Sequence, residues 1–327
     1  MPVTTSVALF APIADDLNRV EELLRSIADV EYAPLRTMLS HVLGSSGKRL
    51  RPALALLSGK YGTYNLDRLV PTAASIELLH TASLVHDDVI DQAATRRGRA
   101  TANSLFGNKA SVMVGDFMFG HAADLVASTG NTRLVSLFAR TIMQIVTGEL
   151  NQDLTAYDYS KGLRDYFARI GGKTAALIGA AAEAGALVCG APEHIIAALR
   201  EYGFNLGLAF QIVDDILDFS GNAAVLGKPV GGDLWSGTLT LPSLLFLERY
   251  PGRDNPVFRF FRSKRNREER FAEALEAVRT SGVLDDASNV AREYADRAVA
   301  LLGDLPNPEG VKEALVDLAE YVVTRAQ

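Results

Sequence analysis

The chain has 327 residues, of which 48% are hydrophobic and 22% are charged, a composition typical of an ordinary globular protein. This balance excludes disordered, collagen-like and disulfide-rich classes. The 33 basic and 39 acidic residues leave a formal net charge of −6. Because general affinity for nucleic acid comes mostly from basic residues on phosphates, we expect no nucleic-acid partner.

Cysteine content and hydropathy indicate a protein of the cytoplasm. A single cysteine, Cys189, excludes an intrachain disulfide and a cysteine-rich metal site. The first fourteen residues contain no Lys or Arg and do not have the pattern of a secretory signal. The longest apolar stretch, residues 174–192, is interrupted by Glu183 and is too short for a transmembrane helix.

Apolar residues recur at three- and four-residue steps along almost the whole chain, which predicts helices. The first pattern runs from Leu17 to Ile27, and the second runs from Leu35 to Leu43 and stops at Gly44. Further patterns occupy roughly 51–61, 71–91, 108–128, 131–153, 163–190, 193–219, 239–249, 267–280, 285–303 and 308–325. The sequence shows no convincing run of alternating polar and apolar residues that would predict a strand, and it shows no internal repeat. The sequence therefore predicts one all-α domain over residues 1–327, a bundle of ten or more helices that is loosest at 250–270.

Two acidic motifs share the spacing DDxxD. They are Asp87, Asp88 and Asp91 in the first and Asp214, Asp215 and Asp218 in the second. On a helix, this spacing places three carboxylates on about one turn, and apolar neighbours indicate that both turns are largely buried. One such motif is commonly a solvated face or a salt-bridge network, but two identical motifs favour a cation site. Ligands that are all oxygen point to a hard cation, first of all Mg²⁺, which also binds substrate phosphates.

Basic residues that suit diphosphate groups lie near these motifs. GKRLRP (47–52) supplies three cations at the start of a helix, and Arg96 and Arg97 follow the first acidic motif. GGKT (171–174) is predicted to open a helix whose free N–H groups favour an anion, and Lys228 lies in the loop after the second motif. Each one alone is commonly a solvated surface charge. Together they fit a site for two diphosphate groups.

These segments resemble the trans-isoprenyl diphosphate synthase, or polyprenyl synthetase, family. The segments that carry the resemblance are GKRLRP (47–52), ELLHTASLVHDDVID (77–91), RRG (96–98), GGKTAAL (171–177), QIVDDILDF (211–219) and LGKPVGGDL (226–234). The resemblance covers about residues 10 to 325. It implies the isoprenoid synthase fold, an all-α bundle in which the two acidic motifs face each other across a deep central cavity. It also implies a homodimer.

The resemblance further implies a prenyltransferase. In this family an allylic diphosphate ionises, the double bond of isopentenyl diphosphate attacks the allylic cation, and a proton is then lost to the released diphosphate. Mg²⁺, with three ions per active site, and fixed cations stabilise the charge that develops on the leaving diphosphate. A terpene cyclase is the alternative enzyme class, but it would not need a second diphosphate site.

The resemblance assigns roles by position in the motifs. Asp87, Asp91 and Asp214 are implied as direct Mg²⁺ ligands, and Asp88, Asp215 and Asp218 as ligands directly or through water. The residues implied for the allylic diphosphate are Arg96, Lys173, Gln211 and Lys228, with Thr174 near the developing cation. Those implied for isopentenyl diphosphate are Lys48, Arg51, His80 and Arg97. Read alone, His80 would be an ordinary helix histidine, and His86 has at most a supporting role.

The length of the product depends on how far the tail can grow along the first acidic helix. Ser83 and Ala82 lie four and five residues before the first aspartate, where short-chain relatives usually carry aromatic residues. Two small side chains predict an open tunnel, with a floor at Leu79 and Ile76 or at 117–119 on another helix. We therefore expect an all-trans product of thirty carbons or more, for a quinone side chain. A shorter farnesyl or geranylgeranyl product is the alternative.

Two segments leave further alternatives open. Gly232 and Thr238 stand where many relatives carry lysines, so a non-catalytic partner subunit of a heteromeric synthase is kept in view. FRFFRSKRNREER (258–270) interleaves aromatic and basic residues, a pattern that suits transient contact with a membrane surface. In an acidic protein, a solvated segment at the start of a helix is the favoured interpretation.

Overall fold

The computed structural model describes residues 10–44, 49–96, 98–221, 230–263 and 265–325, and these residues are largely helical. Lys48, Arg97 and Lys228, which the sequence implied in substrate binding, lie outside the described residues. Among the described residues, strands occur only as the antiparallel pair β1 (Thr95–Arg96) and β2 (Arg99–Ala100). The all-α class expected from the periodicity is confirmed.

The helices follow each other in chain order. The first nine are α1 (Ala14–Ser26), α2 (Ala33–Leu43), α3 (Leu50–Gly59), α4 (Leu66–Ile90), α5 (Ala102–Phe106), α6 (Asn108–Ser128), α7 (Thr132–Leu154), α8 (Leu163–Ile170) and α9 (Ala176–Val188). The next seven are α10 (Glu193–Ser220), α11 (Gly232–Trp235), α12 (Leu241–Arg249), α13 (Pro256–Arg262), α14 (Arg267–Thr280), α15 (Val283–Ala300) and α16 (Val311–Thr324). Short 3₁₀ turns, Ala11–Ile13 and Pro308–Gly310, precede α1 and α16.

The chain divides into two compact units, each assembled from three stretches of sequence. The first unit comprises Met1–Thr141, Leu177–Gly203 and Leu301–Leu318, and the second comprises Ile142–Ala176, Phe204–Ala300 and Ala319–Gln327. In the first unit α4 packs against α6, α3 and α1, around fully buried side chains such as Leu54 and Leu57. In the second unit α14 packs against α13 and α15. The single domain over residues 1–327 stays a prediction.

Helix α4 begins before the position that the sequence predicted. The apolar pattern was expected to run over roughly residues 71–91. In the structure the Asn65 side chain accepts a hydrogen bond from the Asp67 N–H and caps the helix, which leaves Pro71 inside it. The stretch 250–270, expected to be the loosest part of the domain, contains α13, in which Val257 and Phe260 are buried.

The prediction that GGKT opens a helix was wrong. Gly171 has right-handed helical backbone angles, and residues Gly171–Ala175 form a π-helical turn that directly follows α8. The turn lies against α7, where a Cβ on Gly148 would come within 2.8 Å of the Lys173 backbone nitrogen. Single π turns inside helices commonly mark functional sites. Lys173 and Thr174 therefore project from a widened helical turn rather than from a helix N-terminus.

No helix among the described residues is both long enough and apolar enough to cross a membrane.

Candidate active site

The first acidic motif lies where α4 ends. Asp87 and Asp88 occupy the last turn, and Asp91 follows as the C-cap, with its N–H donating to the Asp87 carbonyl at 2.8 Å. Asp91 is exposed and Asp87 is half-buried, whereas Asp88 is buried. The motif therefore presents two accessible carboxylates beside one that is removed from solvent.

The buried carboxylate of this motif has a positive partner. The Arg96 Nε donates to the Asp88 Oδ1 at 2.7 Å, and Arg96 is placed there by β1, which starts a few residues after α4. Burial raises the pKa of Asp88, and the Arg96 guanidinium opposes part of that shift. Arg96, which the sequence implied for the allylic diphosphate, thus also compensates a buried acidic residue.

In the GKRLRP segment, one of the three cations is held by the protein itself. Arg49 has a positive φ of 49° directly before α3, and its guanidinium pairs with Glu21 and, at 2.7 Å, with Glu77. Both acidic partners belong to the first unit, and Glu77 is buried. The Arg49 guanidinium is therefore engaged within the protein, and the roles of Lys48 and Arg51 stay predictions. Sequence reasoning missed both acidic partners of Arg49.

The two histidines of α4 have different surroundings. His80 is half-buried, and its carbonyl accepts a hydrogen bond from the Ser83 hydroxyl at 2.8 Å. The His86 Nε2 lies 3.0 Å from the Val112 carbonyl of α6. A Cβ on Gly115 would lie only 2.1 Å from this nitrogen, so the glycine makes room for the ring. His86 joins two helices, which agrees with a supporting role.

The second acidic motif lies in α10, and its first carboxylate is the accessible one. The Asp214 side chain is 41% exposed and pairs with Arg325, whose Nη1 lies 2.9 Å from Oδ1. The Arg325 guanidinium lies 3.8 Å from the centre of the Phe210 ring and donates to the Phe210 carbonyl. Arg325 directly follows the end of α16 at Thr324, and nothing in the acidic motif pointed to it.

The second carboxylate of this motif, Asp215, is held by a hydrogen-bond network. Tyr166 donates its hydroxyl to Oδ2 at 2.7 Å, and the Gln211 amide donates to Oδ1 at 2.8 Å. The Gln211 oxygen in turn accepts from the Thr174 hydroxyl at 2.6 Å. Burial raises the pKa of Asp215 to about 8, and the negative charge of Asp233 adds to that shift. Asp215 thus orients two residues implied for the allylic substrate, and Tyr166 is a member that the sequence did not reveal.

The third carboxylate, Asp218, is buried and holds the following segment of chain. Its Oδ2 accepts from the Asp233 N–H at 3.1 Å, and its backbone carbonyl accepts from the Gly231 N–H at 2.7 Å. Both donors lie at the start of α11. Asp218 thereby connects α10 to the residues that follow the Lys228 loop.

Lys173 projects from the π-helical turn toward acidic and amide groups of α7. Its Nζ lies 2.8 Å from Oε1 of Glu149 and 3.3 Å from Oε1 of Gln152. The lysine side chain is about one-third exposed, so its ammonium group is reachable from solvent. Glu149 and Gln152 were not identified from the sequence.

Within each motif, the accessible carboxylates fit a divalent cation that is bound together with a substrate. The accessible carboxylates are Asp87, Asp91 and Asp214, and the three buried ones, Asp88, Asp215 and Asp218, accept hydrogen bonds from neighbouring groups. Among the described residues, no three His, Cys, Asp or Glu side chains form a ready metal cage. Mg²⁺ needs only a few carboxylates when phosphate and water complete its coordination.

Small residues precede the first acidic motif, as expected for an open tunnel. Ala82 is fully buried and Ser83 is half-buried. One and two turns earlier, Leu79 and Ile76 line a small apolar cavity within the first unit. The other lining residues are Ser75, Val126, Leu134, Leu137, Phe138, Thr141, Leu177, Ala180 and Ala184. Residues 117–119, the alternative floor, do not line this cavity.

Comparison with known proteins places this chain in a family. The family model described as polyprenyl synthetase matches residues 33–278. Heptaprenyl diphosphate synthase component 2 of Geobacillus stearothermophilus is 39% identical over 97% of this chain and 98% of its own. A polyprenyl synthase from Caulobacter crescentus CB15, solved with calcium and isoprenyl diphosphate, has a TM-score of 0.92 and 36% identity, covering 98% of both chains.

A decaprenyl diphosphate synthase from Rhodobacter capsulatus has a TM-score of 0.90 and 36% identity, covering 98% of this chain and 99% of its own. The family model, the relatives and the structural neighbours agree on the family and on the all-α fold. The chain belongs to the polyprenyl synthetase family and is a prenyltransferase.

Proposed function

We propose that this chain is an all-trans polyprenyl diphosphate synthase that condenses isopentenyl diphosphate with an allylic diphosphate to a product of thirty carbons or more. The observation that carries the proposal is that the carboxylates of each acidic motif differ in exposure and in their hydrogen-bond partners. Each motif leaves at least one carboxylate accessible, and neighbouring groups hold the buried ones. This arrangement suits cations that arrive with a diphosphate substrate.

The carboxylates Asp87, Asp91 and Asp214 would hold Mg²⁺, with three ions per site in our proposal. When bound, Mg²⁺ supplies positive charge for the leaving diphosphate. The Lys173 ammonium, now paired with Glu149, adds a fixed cation for the allylic diphosphate. Because Asp215 fixes Gln211, and Gln211 fixes Thr174, these dipoles need little reorganisation during ionisation.

Substrate contacts follow the motif positions. Arg96, Gln211 and Lys228 join Lys173 at the allylic diphosphate, and Lys48, Arg51, His80 and Arg97 hold isopentenyl diphosphate. Arg49 is left out of this set because Glu21 and Glu77 engage its guanidinium. The base for the final proton is the released diphosphate.

The activity is tested by incubating the protein with labelled isopentenyl diphosphate, Mg²⁺ and geranyl, farnesyl or geranylgeranyl diphosphate. Products are dephosphorylated and sized, and we expect a ladder that ends at thirty carbons or more. Asp214→Asn removes an accessible carboxylate and should lower kcat by about 100-fold or more. Folded protein that incorporates no label with any primer would refute the proposed activity.

Substitutions in α4 test the proposed product length. Ala82→Phe places an aromatic ring where the growing tail would pass, and the longest product should fall to about twenty carbons or fewer. Thr81→Phe is the matched control, because Thr81 is the neighbouring residue and its hydroxyl bonds to its own helix. Ser83→Phe is a second variant at a half-buried position, in case Ala82→Phe folds poorly. Unchanged product lengths in both variants would refute the tunnel argument.

The cellular setting belongs to the same proposal. We place the enzyme in the cytoplasm as a homodimer that makes a quinone side-chain precursor and touches membranes at most transiently. The G. stearothermophilus relative is named as a component of a synthase, so a heteromeric partner is the alternative. In the segment 258–270, the rings of Phe258, Phe260 and Phe261 contact other aromatic rings of the second unit. Because these rings are engaged within the protein, we favour a solvated segment at the start of a helix over a surface that contacts membranes.

A further inference from the structure

Arg267 lies at the start of α14, far along the chain from the acidic motifs, and is surrounded by aromatic rings. We propose that it is a positioning residue for the second acidic motif. It fixes the segment from Gly231 to Gly237, which in turn holds the Asp218 carboxylate. The proposal rests on the prenyl-transfer function proposed above and extends it to a residue outside the family motifs.

The guanidinium of Arg267 is held on several sides. Its centre lies 4.9 Å from the ring of Trp235, 5.0 Å from that of Phe260 and 5.1 Å from that of Tyr157. It donates to the Trp235 carbonyl at 2.9 Å and to the Tyr157 hydroxyl. Phe260 is fully buried, whereas Tyr157 and Trp235 are 37% and 39% exposed, so the cation–π contacts and charge-assisted hydrogen bonds act at a partly exposed site. Arg267 therefore fixes the carbonyl at the end of α11.

The rings around Arg267 are themselves packed. Trp235 meets Phe271 edge-on at 5.2 Å and stacks on Phe260, which has no exposed surface. Tyr157 contacts Phe261 edge-on at 5.6 Å. Aromatic pairs in such arrangements stabilise the folded state by more than their buried area alone would. The cage of Arg267, Tyr157, Trp235 and Phe260 is thus a rigid feature of the second unit.

Tyr157 binds the same segment at two further points. Its N–H donates to the Gly237 carbonyl at 2.9 Å, and its hydroxyl donates to the Trp235 carbonyl at 2.7 Å. Tyr157 has a positive φ of 62°, which is costly for a residue with a side chain. A Cβ on Gly237 would lie 2.6 Å from the Tyr157 ring, so this close approach requires glycine.

From Trp235 the contacts lead to the acidic motif. The Trp235 N–H donates to the Gly231 carbonyl at 2.9 Å across the single turn of α11. At the other end of that turn, the Gly231 and Asp233 N–H groups donate to Asp218. A helix of one turn has no independent stability. Contacts outside it must fix its position, and Arg267 and Tyr157 supply them at its C-terminal end.

Gly232 and Thr238, which stand where many relatives carry lysines, lie in or next to this segment. Lysines at these positions would draw the segment toward a diphosphate by charge. Here the cage holds the segment at the carbonyls of Trp235 and Gly237. Arg267 acts through the segment on Asp218 and is not itself placed in contact with substrate.

The test uses Arg267→Gln in the full-length protein. The matched control is Arg270→Gln on the same helix, whose guanidinium pairs with Glu273. Amide hydrogen exchange is followed by mass spectrometry in peptides that cover residues 230–238, without metal or substrate. We expect Arg267→Gln to speed exchange there by about tenfold and to lower kcat by about tenfold, with the KM for isopentenyl diphosphate changed by less than about twofold. Arg270→Gln should change none of these quantities.

Tyr157→Phe is a milder second variant that keeps the ring and removes one donor to Trp235, and it should speed exchange less than Arg267→Gln does. Unchanged exchange at 230–238 in Arg267→Gln would overturn the proposal. Faster exchange with unchanged kcat would also overturn it, because the segment would then not act on the reaction. A wild-type protein without turnover would refute the proposed function instead, and exchange alone would still decide whether Arg267 fixes the segment.

Discussion

At the scale of single residues, buried charges in this protein have specific partners. Arg96 pairs with Asp88, and the Tyr166 hydroxyl and the Gln211 amide satisfy Asp215. Removing one partner from such a buried group leaves the other group uncompensated, which is costly. The DDxxD spacing correctly placed five of the six carboxylates on helices, and the sixth, Asp91, is the C-cap of α4. The spacing carries no information about the partners, because Arg96, Tyr166 and Asp233 come from other elements.

Two glutamates of the first unit should give the stability of the protein opposite pH dependences. Burial raises the pKa of Glu183, although nearby Arg200 and Arg140 oppose the shift. The Arg133 hydrogen bond lowers the pKa of the exposed Glu193. A carboxyl with a raised pKa in the folded state stabilises the fold at low pH and loses that contribution as the pH rises. A carboxyl with a lowered pKa does the reverse.

We therefore expect the difference in Tm between Glu183→Gln and wild type to become more positive as the pH rises from about 4 to about 7. For Glu193→Gln the same difference should become more negative over that range. The measurement is a series of thermal unfolding curves without metal. A difference in Tm that stays constant from about pH 4 to about pH 7 in both variants would contradict the two pKa shifts.

At the scale of elements, helical periodicity predicted the long helices but not their interruptions. The pattern over 163–190 is continuous in the sequence, and the structure places the π-helical turn Gly171–Ala175 inside it. The turn depends on close contact with α7 at Gly148, which no local pattern reports. The start of α4 was misplaced because the apolar pattern did not report the cap at Asn65, which begins the helix at Leu66.

Close packing of α9 against α3 gives a prediction for this pair of helices. A Cβ on Gly185 would lie 1.9 Å from the Ala55 carbonyl oxygen, a backbone atom that cannot move aside cheaply. Gly185→Ala should therefore lower the free energy of unfolding by about 3 kcal/mol. Gly120→Ala on α6 is the matched control, because no other atom lies within 4 Å of its added Cβ, and it should raise that free energy by about 0.5–1 kcal/mol. Urea denaturation measures both changes, and equal effects would contradict the packing argument.

At the scale of the whole molecule, the two acidic motifs belong to different compact units. The first unit contains the end of α4 with Arg51 and His80, and the second contains the acidic turn of α10 with Lys173. Each unit is assembled from three separated stretches of chain. This division was not visible in the sequence, because helical periodicity is the same in both units. The facing of the motifs across a cavity, which the family resemblance implies, stays a prediction.

An apolar stripe on α7 gives a prediction about assembly. Met143, Val146, Leu150 and Leu154 follow each other at three- and four-residue steps, and their exposed fractions run from 50% to 83%. Water contact of this extent is unfavourable, and a second copy of the chain would remove it. We expect the wild type to be a dimer by light scattering after size exclusion, and Leu150→Glu to shift it toward monomer. Gln144→Glu on the same helix is the control and should stay dimeric. A monomeric wild type would contradict the homodimer, and a dimeric Leu150→Glu would contradict the assignment of this stripe to the interface.

The sequence by itself determined the all-α class, the placing of three carboxylates on one helical turn in each motif, and the family. These properties depend on the chain within a few turns of a helix, and helix geometry translates spacing directly into a shared face. Only the tertiary structure decided that Asp214 is accessible while Asp215 is not, that Glu21 and Glu77 engage Arg49, and that Arg267 fixes the segment around Trp235. Such pairings join residues that are distant in the chain, and they follow from how helices pack rather than from the residues beside each partner.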